Sequence, residues 1–197
     1  MRESTLSRQS KETDVKVVLN IDGTGKYDIE TGCGFLNHML ELFAKHGDFD
    51  LQIKCTGDTN VDYHHTTEDI ALVLGEAFLK ALGDRKGIYR YGEASIPMDE
   101  AMVMTVVDLS GRSYVVNKLN IPAERVGDFD TELVNEFMIA FSRRSGLNLH
   151  IYQMSGENAH HIIEAAFKGL ARALKKAAAI DPKHAGEIPS TKGVLDI

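Results

Sequence analysis

The sequence predicts an α/β fold of the α+β two-layer kind, built from two similar halves that each run β-β-α-β-α. Three observations carry that expectation. The heptapeptide Asp62-Tyr63-His64-His65-Thr66-Thr67-Glu68 has a near-copy in Asn158-Ala159-His160-His161-Ile162-Ile163-Glu164. Each copy opens a stretch with apolar residues at helical spacing. The strand and helix signals that precede the two copies come in the same order, so the chain reads as an internal duplication. Residues 1–95 form the first half and residues 96–197 the second, packed as one unit, with their helices between or against two sheets.

Taken in order, Val15 to Ile21 is β-rich and alternating, Asp22-Gly23-Thr24-Gly25 is a turn, and Lys26 to Thr31 returns as a second strand. Phe35, Leu36, Met39, Leu40 and Phe43 mark a helix that ends at Gly47. Phe49, Leu51 and Ile53 alternate in a third strand. The first His-His helix buries Ile70, Val73, Leu74, Ala77, Phe78 and Ala81 and stops at Gly83. After a junction over residues 84–96, strands are expected within 98–109 and 113–118. A helix carrying Leu133, Val134, Phe137, Met138 and Phe141 follows, then a strand at Leu147, Leu149 and Ile151. The second His-His helix runs to about Ala179.

Composition narrows the function. No apolar run approaches the roughly 20 residues of a membrane span. Residues 1–14 are polar and lack a signal-peptide core, and Cys33 and Cys55 are too few for a disulfide framework. A reducing cytoplasm fits. The formal net charge of −7 argues against a nucleic-acid surface and leaves room for a local basic pocket for a small anion.

Asp62 and Asn158 are good helix N-caps, so each helix is expected to begin one residue later. On such a helix His64 shares a face with Glu68, and His65 is three residues from it. Adjacent histidines diverge by about 100° around the axis, so one pair serves two ions more easily than one. A single His-His pair at a helix start is equally well explained by solvation; two matched copies favour ligation. The preceding helices align His38 with Glu136. Each half therefore offers four ligands: His38, His64, His65 and Glu68 in the first, Glu136, His160, His161 and Glu164 in the second. Nitrogen and oxygen donors without sulfur suit Mn²⁺, Fe²⁺ or Zn²⁺. Four ligands on an octahedral ion leave positions open, which points to catalysis.

Other candidates are less specific. His46 is either an acid/base group or a cation favoured by the helix C-terminus, and His150 reads as solvated or packed. Arg90, Arg112 and Lys168 are scattered charges. Residues 189–193, Pro-Ser-Thr-Lys-Gly, have a composition that can hold phosphate without the strand-helix context of a P-loop.

Several blocks together resemble the imidazoleglycerol-phosphate dehydratases of histidine biosynthesis. They are Lys11-Glu12-Thr13, Gly34-Phe35-Leu36-Asn37-His38-Met39-Leu40, His64-His65-Thr66-Thr67-Glu68-Asp69, Gly127-Asp128-Phe129-Asp130, the second His-His block with Phe167-Lys168, and Ser190-Thr191-Lys192-Gly193. The resemblance implies helices between two four-stranded mixed sheets, and a 24-subunit homo-oligomer of cubic symmetry with active sites shared between subunits. It also implies two Mn²⁺ per active site and a small phosphate ester as substrate, with neither nucleic acid nor membrane as partner. Asn37 stands where the family usually has aspartate, Leu42 where a polar residue is common, and Glu136 where some members carry histidine.

The family's reaction would convert D-erythro-imidazoleglycerol phosphate to imidazole-acetol phosphate. No carbonyl acidifies the C–H that is lost, so the imidazole ring must serve as electron source and sink through a diazafulvene. The resemblance places Glu12 near the substrate and Arg90, Arg112, Lys168, Ser190, Thr191 and Lys192 around its phosphate. For the base it leaves Glu12, His46 and a metal-bound water open. A non-enzymatic di-metal binding or storage protein is the alternative from another class; it has no use for phosphate-binding residues.

Overall fold

A computed structural model of the chain describes residues 2–195. Among them the order is β1 (Glu3–Gln9), β2 (Thr13–Asn20), β3 (Tyr27–Glu30), α1 (Gly34–Gly47), β4 (Asp50–Gly57), α2 (His64–Leu82), β5 (Tyr91–Met98), β6 (Ala101–Asp108), β7 (Tyr114–Lys118), β8 (Arg125–Val126), β9 (Phe129–Asp130), α3 (Leu133–Ser145), β10 (Asn148–Ser155) and α4 (Ala159–Ala178). Two four-stranded sheets have matching strand order, β1-β2-β4-β3 and β5-β6-β10-β7. Each is mixed. The β3–β4 and β7–β10 pairs are parallel and the others antiparallel. This is the expected α/β architecture, with helices on the sheets' inner faces.

Each half has one strand more than the β-β-α-β-α reading. β1 is an edge strand with a polar sequence, ESTLSRQ, and only half-buried positions between exposed ones. β5 contains Gly92 and Pro97, which hide a strand from a propensity reading. Gly92 is there because β5 lies hard against α4: a Cβ on it would meet the Ala173 carbonyl oxygen at 2.0 Å. Residue 95, where the sequence reading divides the chain, falls inside β5. The small hairpin of β8 and β9 is also new, and it has no counterpart in the first half.

The apolar stripes read from the sequence are the buried faces. Leu36, Met39, Leu40 and Phe43 of α1, and Ile70, Leu74, Ala77 and Phe78 of α2, are fully buried. α2 packs on β1, β2 and β4, and α4 packs on β5 and β6. Across the halves, α1 lies against α4 and α2 against α3. Phenylalanines join all four helices. Phe43 of α1 meets Phe141 of α3 at 6.0 Å between ring centroids, Phe141 meets Phe78 of α2 at 6.1 Å, and Phe137 meets Phe167 of α4 at 5.0 Å. Each fully buried ring contributes about 1.5–3 kcal/mol by leaving water. The halves therefore share one core, and a side chain on α1 is held rigidly relative to one on α4.

The two His-His helices begin differently. Asn158 caps α4 as expected, accepting the His161 N–H at 3.3 Å. α2 starts at His64, with Tyr63 in the cap position and no side-chain cap bond. Asp62 sits one residue further out and accepts the His64 N–H at 2.7 Å.

Candidate active site

The α1–α4 contact brings three candidate ligands together. Nε2 of His38 lies 3.4 Å from Oε2 of Glu164, and Nε2 of His160 lies 3.1 Å from that same oxygen. Their donor atoms all fall within 4.8 Å of one another, the only such group of three or more among the described residues. Glu164 is 6 % exposed. Burial alone would push its carboxyl up. The Lys168 ammonium on its other oxygen, with the two imidazoles, holds it below the ordinary carboxylate range. The His160 ring stands edge-on to Phe35 at 5.2 Å, and Phe35 packs on Phe129 of the β8–β9 hairpin at 5.4 Å.

Two imidazole nitrogens and a carboxylate oxygen fit a divalent ion of the Mn²⁺, Fe²⁺ or Zn²⁺ type. The His38 and His160 side chains are 42 % and 40 % exposed, so the trio has an open side toward solvent. The trio crosses the two halves of the chain. His38 meets His160 and Glu164 of the second half, because α1 packs on α4. The reciprocal candidates are Glu136 on α3 with His64 and Glu68 on α2. Those helices are in contact and the three side chains are half-buried, without closing to the spacing of the first trio.

The second histidine of each pair turns elsewhere, as the 100° divergence requires. His65 Nδ1 lies 3.0 Å from Asp58 Oδ2, and its Nε2 faces Glu12 at 3.8 Å. His161 Nδ1 lies 2.7 Å from Glu100 Oε2, and its Nε2 faces Asp99 at 3.6 Å. Glu12 stands in the β1–β2 turn, and Asp99 and Glu100 in the β5–β6 turn, so equivalent hairpin tips flank equivalent histidines. The hydrogen bonds raise both imidazole pKa values, and Glu100 is held down to about 2 by His161 and the backbone N–H groups of Asn158 and Glu157.

His46 lies in the last turn of α1, half-buried. Burial, then the charges of Lys168 and Arg172, hold its pKa below the ordinary histidine value. His46 is two turns beyond His38, about 12 Å along the helix.

Arg90, Tyr91, Arg112, Ser190, Thr191 and Lys192 line a single cavity of about 590 Å³. The Arg90 guanidinium is anchored by Asp108 at 2.7 and 3.1 Å and by the Pro189 carbonyl at 2.9 Å, and it lies over the Tyr91 ring. The Ser190 hydroxyl accepts the Lys192 N–H at 3.2 Å, folding the tail back on itself. Three cationic side chains, Arg90, Arg112 and Lys192, line it, with Arg90 paired to Asp108, a lining that suits a phosphate. Lys168 is the exception among the expected phosphate residues. It sits on Glu164 and near Met98 Sδ, outside this cavity.

Cavity and trio lie at opposite ends of α4. The Arg90 N–H bonds the Ala177 carbonyl at 2.9 Å, whereas His160 is the second residue of the helix. That is a separation of about 25 Å. The sequence reading missed Asp58, Asp99, Glu100 and Asp108. Single carboxylates in turns, or at a strand end like Asp108, carry no pattern, although the hairpin position of Glu12 could have pointed to Asp99 and Glu100.

Comparison with known proteins matches this arrangement to one family. The IGPD family, imidazoleglycerol-phosphate dehydratase, matches residues 31–174. The imidazoleglycerol-phosphate dehydratase of Methylorubrum extorquens is 54 % identical over 195 residues, 99 % of this chain and 100 % of that one. Its Azorhizobium caulinodans counterpart is 52 % identical over 99 % of both chains. The crystal structure of the Staphylococcus aureus imidazoleglycerol-phosphate dehydratase superposes with a TM-score of 0.82 at 41 % identity, covering 90 % of this chain and 99 % of that one. The crystal structure of IGPD from Pyrococcus furiosus gives 0.83 at 39 % identity, covering 96 % and 100 %. With the fold, both His-His helices and the family match all lying within one continuous alignment, the chain belongs to the imidazoleglycerol-phosphate dehydratase family.

Proposed function

We infer that this chain is a hydro-lyase that dehydrates D-erythro-imidazoleglycerol phosphate to imidazole-acetol phosphate in cytoplasmic histidine biosynthesis, using two Mn²⁺ per active site. The observation that carries the reading is the His38–His160–Glu164 trio, a donor set suited to such an ion beside an open face. His64, Glu68 and Glu136 hold the second ion in the reciprocal position, and His65 and His161 complete the two sets. When bound, the ions would supply Lewis-acid stabilisation of negative charge on the substrate's imidazole ring.

Arg90, Arg112, Ser190, Thr191 and Lys192 hold the phosphate in the 590 Å³ cavity. Glu12 takes the carbon-bound proton. It faces the Nε2 of a proposed ligand, His65, whereas His46 lies two turns from His38. Lys168 keeps Glu164 ionised and so available as a ligand.

The separation of about 25 Å between trio and cavity is more than one imidazoleglycerol phosphate can span. The working site therefore joins the metal-binding face of one copy to the phosphate cavity of another. A closed homo-oligomer, the cubic 24-subunit particle of the family resemblance, supplies that arrangement. The deciding experiment is incubation of Mn²⁺-loaded protein with imidazoleglycerol phosphate, following the ketone product. A chain that binds Mn²⁺ but neither binds nor turns over the phosphate ester would be a metal carrier instead.

A further inference from the structure

Both outward histidines are held by the same kind of hydrogen bond, from unrelated loops. Asp58, just past β4, takes Nδ1 of His65; Glu100, in the β5–β6 turn, takes Nδ1 of His161. The loop before α4 is shorter than the loop before α2. Glu157 within it turns its backbone N–H to Glu100 Oε1 at 3.1 Å. Duplication of one ancestral residue does not explain the match, since the two carboxylates are not equivalent in the repeat. What the halves have in common is the arrangement at the ring.

We propose that Asp58 and Glu100 are positioning residues that fix the tautomer and aim of His65 and His161, leaving Nε2 of each ring as the donor to a divalent ion. An ionised carboxylate can only accept, so the proton of the neutral ring resides on Nδ1 and the Nε2 lone pair is exposed. Among the described residues no hydrogen bond claims Nε2: Glu12 and Asp99 face it at 3.8 and 3.6 Å, beyond a hydrogen bond. Nor is Asp58 placed for stability alone. Its Oδ1 is buried and makes no hydrogen bond among the described residues, an arrangement that costs folding free energy. Carboxylates behind ligand histidines typically set metal affinity in this way.

The inference rests on the metal reading above, and the test separates the two. Mn²⁺ affinity is measured by chelator competition on the full-length protein and on D58A, D58N and E100A. Histidine tautomers are read by ¹⁵N NMR on the metal-free forms. D58A should weaken one Mn²⁺ site by about 10- to 100-fold and return His65, but not His161, to a mixture of tautomers. E100A should do the reverse. D58N keeps an oxygen that can accept the same N–H and should restore most of the affinity. Unchanged affinity and tautomer in D58A would overturn the proposal. So would equal losses in D58A and D58N with the His65 tautomer intact, the result of a purely structural role. Wild-type protein that binds no Mn²⁺ would instead overturn the metal reading itself.

Discussion

His38 Nε2 on α1 lies 3.4 Å from Glu164 Oε2 on α4, two residues 126 positions apart in different halves of a duplicated chain. The duplication thus yields a site by crossing: a side chain from one half completes a set begun in the other. Glu164→Gln should remove one bound Mn²⁺ per chain and abolish turnover with it, while far-ultraviolet circular dichroism stays unchanged. Full metal content in that variant would mean the trio is only an ion-pair network around Lys168.

Lys192 reaches the cavity from the tail, remote from the trio. A charge-assisted contact to phosphate contributes roughly 1.5–3 kcal/mol. Lys192→Ala should therefore raise KM about ten- to a hundredfold and leave metal content at the wild-type value. Steady-state kinetics with parallel metal analysis checks both halves of that expectation.

Glu136 occupies on α3 the place that His38 occupies on α1. Glu136→His should retain Mn²⁺ binding and substantial activity, because imidazole is an equally suitable donor. Glu136→Ala should lose one ion. Two ions per chain in the alanine variant would reduce Glu136 to a surface charge.

His46 carries an acid-side stability term. Its folded pKa lies below the ordinary value of 6.5, through burial and the nearby Lys168 and Arg172 charges. Between those two values the unfolded chain binds a proton that the folded chain does not, so stability falls as pH drops through that window and is unaffected above it. In metal-free protein, the urea midpoint should fall between about pH 7.5 and about pH 5.5, and His46→Gln should flatten part of that fall. An identical pH slope in the variant would remove His46 from the account.

Helical periodicity exposed the four helices and their buried stripes, since a core face repeats on a fixed spacing. Doubling of the His-His pattern exposed the candidate ligands. Two strands of the main sheets escaped for local reasons: β1 is a polar edge, and β5 contains Gly92 and Pro97. The partnership of His38 with His160 escaped for a global one. No local pattern states that α1 packs on α4, so the sequence leaves open which candidates of the two halves meet. Lys168 pairs with Glu164 within the chain, because four residues along α4 put the two side chains on one face.

The central claim is that one active site draws its metal ligands and its phosphate cavity from different copies of the chain, since about 25 Å of α4 separates them. It is tested most directly by mixing two variants that are each silent at low substrate concentration, His38→Ala and the double variant Arg112→Ala/Lys192→Ala. The two are dissociated with chelator and reassembled together with Mn²⁺. Turnover should reappear in the mixture, because some sites then join an intact metal face to an intact cavity. A mixture as inactive as its separate components, despite proven co-assembly, would place both parts of the site on one chain and contradict the account.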